Sequence, residues 1–478
     1  MYGNWRAAVV RKDDETLAQP TTEEFFTWLR GKRVAVCGIG TNNQPVIRQF
    51  LKAGAKVTAC DRRGREELGP AAQRLEEEGA SLRLGASYLD DLAESGADLI
   101  LRTPGMKPYL PPFEEARRRG IPVSSEMEIF LSLCPAPVTA VTGSDGKSTT
   151  TSVIAGMLEA AGKRVHLGGN IGRPLLPDIG EVREGDEVVV ELSSFQLTGM
   201  TQAVDTAVVT NVAPNHLDWH TDMQEYIEAK RNLVRWQTPS GRAVLNADNE
   251  ITASFSADAR GELLLFSRRE RPARGAWLSP DGTLTMTADG VDTPVIAAAE
   301  IRLPGMHNVE NYLAAIAAVW GKVPPSVIAD YARAFGGVPH RCESVRELDG
   351  VRWVNDSIGT SPSRTIAGLQ AFGGNVVLIA GGYDKHIPYA PLGPAAAATV
   401  KEAILLGATA GAIEEAIRAC SDLPIRRVST LEAAVAAARE DAAAGDIVFF
   451  SPASASFDMY RNFEERGEHF KRLVNALK

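Results

Sequence analysis

PVTAVTGSDGKSTTTSVIAGMLEAAG, residues 137–162, is the stretch on which the reading of the fold turns. A short run rich in Val and Thr enters a glycine turn and leaves it as a run of Thr, Ala and Leu that favours helix. Strand, glycine turn and helix in that order open a βαβ unit with parallel strands. Within the turn, Gly143-Ser144-Asp145-Gly146-Lys147-Ser148-Thr149 sets glycines where the backbone must curl so that several N–H groups face an anion. The helix that follows adds its positive end. Lys147 can reach the β- and γ-phosphates of a nucleotide, and the hydroxyl of Ser148 or Thr149 can hold Mg²⁺. Val141 stands where the strict pattern G-x-x-x-x-G-K-[ST] has its first glycine. The bland alternative is a plain strand-to-helix turn. The flanking strand and helix supply the context a phosphate site requires, which favours the functional reading.

Two further strand–turn–helix openings flank this one. The first is KRVAVCGIG, residues 32–40, followed by a helical stretch through Leu51 and a second strand, AKVTACD, ending at Asp61. The other is NVVLIAGGYDK, residues 375–385. Pro- and Gly-rich segments lie between them: LCPAPV, ending at Val138, and FGGVPHR, residues 335–341. The expectation is an α/β chain in three domains, residues 1–134, 135–337 and 338–478. The first and last are expected to be Rossmann-like, and the central one to hold a mostly parallel sheet. Residues 241–302 alternate short strand-like runs with turns such as Ser279-Pro280-Asp281-Gly282, and read as the β-rich later part of the central domain. The alanine-rich runs Ala395–Ala398 and Ala433–Ala444 read as helical packing surfaces.

Bulk properties narrow the class. The chain has 478 residues, 44% hydrophobic and 23% charged, with a net charge of −9. That acidity argues against a general nucleic-acid binder. The five cysteines, Cys37, Cys60, Cys134, Cys342 and Cys420, are scattered and form no CxxC pair. They read as free thiols in a reducing compartment. The first twenty residues carry no long apolar core, and no run of about 18 apolar residues occurs. A cytoplasmic protein with no membrane segment is expected.

The turn Gly38-Ile39-Gly40 is a weaker signal, since Asn43 occupies the place of a third glycine. With Asp61 ending the second strand, it suits a redox dinucleotide, a nucleotide-sugar or a tight turn alone. Glu191, at the end of the apolar strand EVVVE and near the phosphate loop, is placed to bind Mg²⁺. In NVAPNHLDWH, His216 could serve a second cation or a substrate group. His216 and His220 are four residues apart, but HExxH lacks its glutamate here and zinc is disfavoured. Lys230, taken alone, reads as a solvated helix lysine. Asn308 and Asn311 lie one turn apart on one helix face, where they could cap the helix or bind a nucleotide.

These pieces, in this order, resemble the Mur ligase family. GSDGKST, NVAPNHLDWH, GMHNVEN, and His340-Arg341 followed by Asn355-Asp356-Ser357 are family-level marks, and the match covers nearly the whole chain. ELSSFQL (Glu191–Leu197), AGGYDKH (Ala380–His386) and SPASASFDMYRNFEERGEHF (Ser451–Phe470) narrow it within the family. The resemblance implies an N-terminal UDP-sugar domain, a central ATP-binding domain and a C-terminal amino-acid-binding domain. It implies ATP and two Mg²⁺ ions, UDP-N-acetylmuramoyl-L-alanine and D-glutamate as substrates, and a monomer. Lys147, His216 and Lys230 would be catalytic. Gly143, Ser144, Asp145, Gly146, Lys147, Ser148, Thr149, Asn308, Asn311, Arg341 and Asp356 would hold the adenine nucleotide. Ser148, Glu191, His216 and Lys230 would serve the metals, with Lys230 matching a lysine that the family carbamylates. Gly40, Thr41, Asn42 and Asp61 would contact the uridine nucleotide. Asn170 would stand between substrate and ATP, and Thr360, Lys385, Ser456 and Phe457 would bind D-glutamate. Ile358 stands where many members carry a lysine, and GIGTNNQP replaces the more usual GxGxSG.

The implied chemistry needs such parts. A carboxylate accepts an amine at neutral pH only once it carries a leaving group, which an acyl phosphate supplies. Phosphoryl transfer and collapse of the tetrahedral intermediate both build negative charge, which Lys147 and magnesium would neutralise. Water must be excluded, and the two Pro/Gly segments are the expected hinges. The competing readings are a ligase for another amino acid or a folylpolyglutamate synthase-like enzyme, a non-catalytic nucleotide-binding regulator, and a redox enzyme.

Overall fold

The computed structural model of the chain describes residues 20–40, 42–172, 174–216, 219–303, 305–384 and 388–478. These fall into two compact units divided between Phe335 and Gly336. The architecture is α/β, with three sheets dominated by parallel pairing.

The first unit holds two sheets. One comprises β1 (Arg33–Cys37), β2 (Lys56–Asp61), β3 (Ser81–Leu84), β4 (Leu99–Arg102) and β5 (Val123–Ser124). Its order is β3-β2-β1-β4-β5, parallel throughout. This is the doubly wound order whose reversal beside β1 opens a crevice at the carboxyl ends of β1 and β4. The GxG turn leaves β1 at that crevice.

The second sheet contains β6 (Val138–Thr142), β7 (Val165–Gly169), β8 (Glu187–Glu191), β9 (Thr206–Val209) and β10 (Arg242–Asn246), with β11 (Glu262–Ser267), β12 (Gly275–Leu278), β13 (Thr283–Ala288) and β14 (Val291–Ala297) extending it. The order is β14-β13-β12-β11-β10-β9-β6-β8-β7, parallel from β7 to β12 and antiparallel across the last two pairs. The β-rich reading of residues 241–302 thus corresponds to one edge of this sheet. Strand β6 is fully buried, as expected of a parallel strand covered on both faces.

One apolar core runs from the first sheet into the second. Ile47 and Phe50, on the helix Asn43–Lys52, belong to the same cluster as Leu175, Leu176 and Ile179. Gln49 Nε2 reinforces that seam by donating to Leu176 O and Pro177 O at 3.0 and 3.1 Å. The Glu126 Oε1 atom accepts from the Leu175 and Leu176 N–H groups at 3.0 and 2.9 Å. The segment around Cys134–Val138, read as a linker and hinge, carries buried Leu133, Ala136 and Val138 in this core. Apolar side chains on either side of a short connection make it a packed corner.

The second unit holds β15 (Glu343–Leu348), β16 (Val351–Asn355), β17 (Val376–Ala380), β18 (Val400–Leu405), β19 (Ile425–Arg427) and β20 (Ile447–Phe450). The order is β15-β16-β20-β17-β18-β19, with only β15 antiparallel. The alanine-rich runs contribute to the helices Leu392–Thr399 and Leu431–Asp441, which bury Ala396, Ala434 and Ala438. No helix among the described residues is long and apolar enough to cross a membrane.

Glu126→Ala is expected to destabilise the first unit by about 1–3 kcal/mol, because two backbone donors lose their acceptor. Glu126→Gln keeps an oxygen at that position and should cost much less. Urea titration of both variants measures the difference.

Candidate functional site

The phosphate loop is fixed by close backbone approach. Gly143 has φ 151°, and a Cβ there would sit 1.8 Å from Thr210 Oγ1. Gly146 has φ 78°, and its Cβ would meet Asn311 Oδ1 at 2.3 Å. Neither place admits a side chain, so both glycines are steric requirements. Across the loop, Ser144 N–H donates to Asn211 O at 2.8 Å and Asp145 N–H to Asn211 Oδ1 at 3.0 Å. Thr210 Oγ1 donates to Asp145 O at 2.6 Å. Ser144 Oγ lies 2.9 Å from Ala213 O and 2.9 Å from Tyr226 OH. The helix Lys147–Ala160 starts at Gly146 without a side-chain cap, so its first N–H groups face outward with the helix dipole behind them.

Several expected residues meet at this helix end. Ser148 Oγ donates to Glu191 Oε2 at 2.5 Å, and Asn170 Nδ2 donates to Glu191 Oε1 at 2.6 Å. Glu191 is 1% exposed. Lys147 Nζ folds back to Ser144 O at 2.9 Å. Asn311 Nδ2 donates to Asn308 Oδ1 at 3.1 Å, while Asn311 Oδ1 accepts from Thr150 Oγ1 at 3.2 Å. The asparagine pair therefore lies against the phosphate loop itself.

Lys230 departs from its reading as a solvated lysine. It is 1% exposed on the helix Met223–Arg235, with Nζ 2.8 Å from Gly143 O and 4.6 Å from the Tyr226 ring centroid. Burial, and then the nearby Lys147 charge, hold its pKa well below the usual lysine range, against the pull of Glu191 and Asp145. The helix is amphipathic, and position 230 falls on its inner face with Tyr226 and Leu233.

The two histidines of NVAPNHLDWH part company. His216 adopts φ 55° with its ring edge-on to Phe195 at 5.0 Å. His220 turns inward, with Nε2 2.9 Å from Ser194 Oγ. Burial lowers its pKa, so the imidazole is held neutral.

At the first sheet, the GxG turn is stapled by residues that the glycine pattern misses. Asn43 Nδ2 donates to Gly38 O at 2.9 Å, and Ile39 N–H donates to Asp61 Oδ2 at 2.7 Å. Arg63 bridges Asp61 and Ile39 O. Burial alone would raise the Asp61 pKa, but the bonds from Arg63 and Ile39 draw it below the usual value. Asn43 thus does by hydrogen bonding what a third glycine does by close packing. Gly40 and Asn42 lie at the exposed rim of this turn.

In the second unit, Asp356 directly follows β16 and is 4% exposed. Its carboxylate accepts from Ser451 Oγ at 2.7 Å and Cys342 N at 3.1 Å. Burial pushes its pKa up to about 6, against the opposing effect of these bonds and of Arg341. Ser456 is buried, Thr360 is half-buried, and Phe457 is 64% exposed with its ring edge-on to Tyr383. Arg466 was not foreseen. It is 3% exposed and donates to the carbonyls of Ser357, Ser454 and Ala455 at 2.8–3.1 Å. It ties the NDS segment to the segment carrying Ser456. An arginine inside a serine- and glutamate-rich stretch was the available signal. Thr41 and Lys385 lie outside the described residues.

The family described as "Mur ligase middle domain" matches residues 141–319, and "Mur ligase, glutamate ligase domain" matches residues 340–454. A UDP-N-acetylmuramoylalanine–D-glutamate ligase from Acetivibrio thermocellus is 48% identical over 462 residues, covering 95% of this chain and 98% of that protein. Its counterpart from Symbiobacterium thermophilum is 49% identical over 449 residues, covering 93% and 98%. Among solved structures, a UDP-N-acetylmuramate-alanine ligase from Thermotoga maritima aligns with TM-score 0.53 at 17% identity, covering 94% of this chain and 100% of that one. The last comparison speaks to fold alone.

Asp356 makes a pH prediction. Its folded pKa lies above its ordinary value of 3.8, so the ionised form is disfavoured by folding. Stability of the second unit should fall as pH rises from about 4 to about 6, by on the order of 2–3 kcal/mol, and level off above. In Asp356→Asn this fall should be absent, as read by urea midpoints across that range.

Proposed function

The chain belongs to the Mur ligase family, and from that premise we propose that it joins D-glutamate to UDP-N-acetylmuramoyl-L-alanine, converting ATP to ADP and phosphate, as a step in making peptidoglycan precursors. The observation that carries the reading is the phosphate loop, where a helix start without a side-chain cap, Lys147 and the Ser148–Glu191 pair converge. The amino-acid specificity rests on the near-full-length relatives, whose names specify D-glutamate. A cytoplasmic monomer acting on soluble substrates is part of the same proposal.

In this reading the loop N–H groups bind the ATP phosphates, and Lys147 exchanges its contact with Ser144 O for a phosphate oxygen. The substrate carboxylate attacks the γ-phosphorus, forming the acyl phosphate and releasing ADP. The amine of D-glutamate then attacks the acyl carbon, and phosphate leaves from the tetrahedral intermediate. Asn308 and Asn311 support the loop from below, and Asn170 orients Glu191. Arg341 and Asp356 serve the nucleotide, while Thr360, Lys385, Ser456 and Phe457 serve D-glutamate. Gly40, Thr41, Asn42 and Asp61 serve the uridine end.

The buried hydroxyl–carboxylate pair of Ser148 and Glu191 fits a hard divalent cation. Bound magnesium would supply charge neutralisation at the phosphoryl oxygens. His216 and Lys230 would complete the metal-binding set. Lys230 fits its expected carbamylation, since burial disfavours its ammonium form and favours the neutral amine that attacks CO₂. The product carbamate would place a carboxylate where the Lys230 amine now meets Gly143 O.

Phosphate release should require ATP, Mg²⁺, UDP-N-acetylmuramoyl-L-alanine and D-glutamate together, and should fail with L-glutamate. Lys147→Ala should lower kcat by at least ~10³-fold. ATP binding without turnover, with any amino acid, would favour the regulator instead. Lys230→Ala should lose turnover while retaining the fold by circular dichroism, and wild-type activity should fall in CO₂-depleted buffer and recover with bicarbonate.

A further inference from the structure

Cys37 and Cys60 are register partners on the adjacent parallel strands β1 and β2, so both side chains leave the same face of the sheet. Both belong to the small apolar cluster on that face, at 0% and 1% exposure. Neighbouring strands lie about 4.8 Å apart, inside the window of about 4.4–6.8 Å between Cα atoms that a disulfide needs. The Cys60 thiol lies 3.8 Å from Thr58 O on its own strand. A cavity of about 410 Å³ opens on this face and is lined by Cys60, Thr58, Arg83, Ser81 and Arg33. Cys60 therefore meets solvent space at the cavity wall, and Cys37 lies behind it.

We propose that this cavity is a site of thiol oxidation, in which a small peroxide attacks at Cys60, Cys37 resolves the product to a Cys37–Cys60 disulfide, and the uridine-binding turn is thereby weakened. The last clause rests on the reading of the turn given above. The cavity beside Cys60 admits hydrogen peroxide, while the low exposure of the thiol excludes bulky disulfides. Cys60 thiolate attacks one peroxide oxygen, the O–O bond breaks, and hydroxide leaves and is protonated to water. The resulting sulfenic acid is attacked by Cys37 sulfur, which gives up its proton as a second water departs. Two thiols lose two electrons and one peroxide gains them.

The surroundings assign the two roles. Cys60 lines the cavity together with Arg83, whose charge favours a thiolate there, whereas Cys37 is not part of the lining. By contrast, burial pushes the Cys134 thiol up to about 11. Both strands end at the turn: Cys37 precedes Gly38, Cys60 precedes Asp61, and Gly38 N–H donates to Cys60 O at 2.7 Å. Drawing the two sulfurs to a bond length of about 2.05 Å must rotate both residues and disturb that bond and the neighbouring Ile39–Asp61 contact.

The test treats the full chain with hydrogen peroxide, blocks free thiols, and maps peptides without reduction. The expected result is a Cys37–Cys60 linked peptide, formed before modification of Cys134, Cys342 or Cys420, and absent in Cys60→Ser. Cys37→Ser should stop at a Cys60 sulfenic acid trapped by dimedone. Calorimetric binding of UDP-N-acetylmuramoyl-L-alanine should weaken roughly tenfold on oxidation and recover with dithiothreitol. Oxidation confined to Cys342 or Cys420, with Cys37 and Cys60 still alkylatable after unfolding, overturns the site. A disulfide that leaves affinity unchanged overturns its coupling to the turn. Reduced protein that binds no uridine nucleotide would instead overturn the functional reading of the turn.

Discussion

The first unit is organised around the contact between Gly143 and Thr210, where the phosphate loop crosses the ends of β6 and β9 with no room for a single methyl group. Because the backbone comes this close, Asn211 can bind the loop through both its carbonyl and its side chain, and Ser144 can reach Ala213 and Tyr226. The same approach leaves Gly143 O pointing at Lys230. A buried amine is costly unless its hydrogen bonds are met, so the lysine and the loop hold each other in place. Remove the glycine, and the loop, the lysine and the helix end lose their common reference.

Much of this was legible in the residues, for a physical reason. Strand-then-glycine-then-helix patterns are local, and local backbone demands leave local marks, as at residues 137–162. The three sheets and the meeting of Ser148, Glu191 and Asn170 follow from such marks together with family resemblance. Tertiary packing leaves weaker ones. Lys230 sits among Glu228, Arg231 and Asn232, and only the loop packed above it makes it a buried residue. Asn43 looked like a missing glycine because the pattern counts glycines, whereas the turn requires only that Gly38 O be engaged. The prolines near Cys134 mark chain direction, which says nothing about the core that covers Leu133, Ala136 and Val138.

Arg466 shows a similar effect in the second unit. Its guanidinium is answered by carbonyl oxygens from two separate loops. Burial lowers its pKa to about 10, yet it remains charged at neutral pH. Five donors fixed in one plane hold those loops in register in a way an aliphatic side chain would not. The Asp356 carboxylate is braced by different neighbours, Ser451 and Cys342, so Asp356 and Ser357 of the NDS segment are anchored through separate contacts.

The continuous core beneath the first two sheets bears on how such a protein can diversify. Ile47 and Phe50 of the first sheet's helix are inseparable from Leu175, Leu176 and Ile179 of the second. A recombination event that exchanged the first sheet for another of the same topology would import a mismatched seam. Viable drift is therefore channelled to the strand ends, where turns such as Gly38–Asn43 can be rewritten residue by residue. Inheritance would then conserve the seam as a block while the rim explores new ligands.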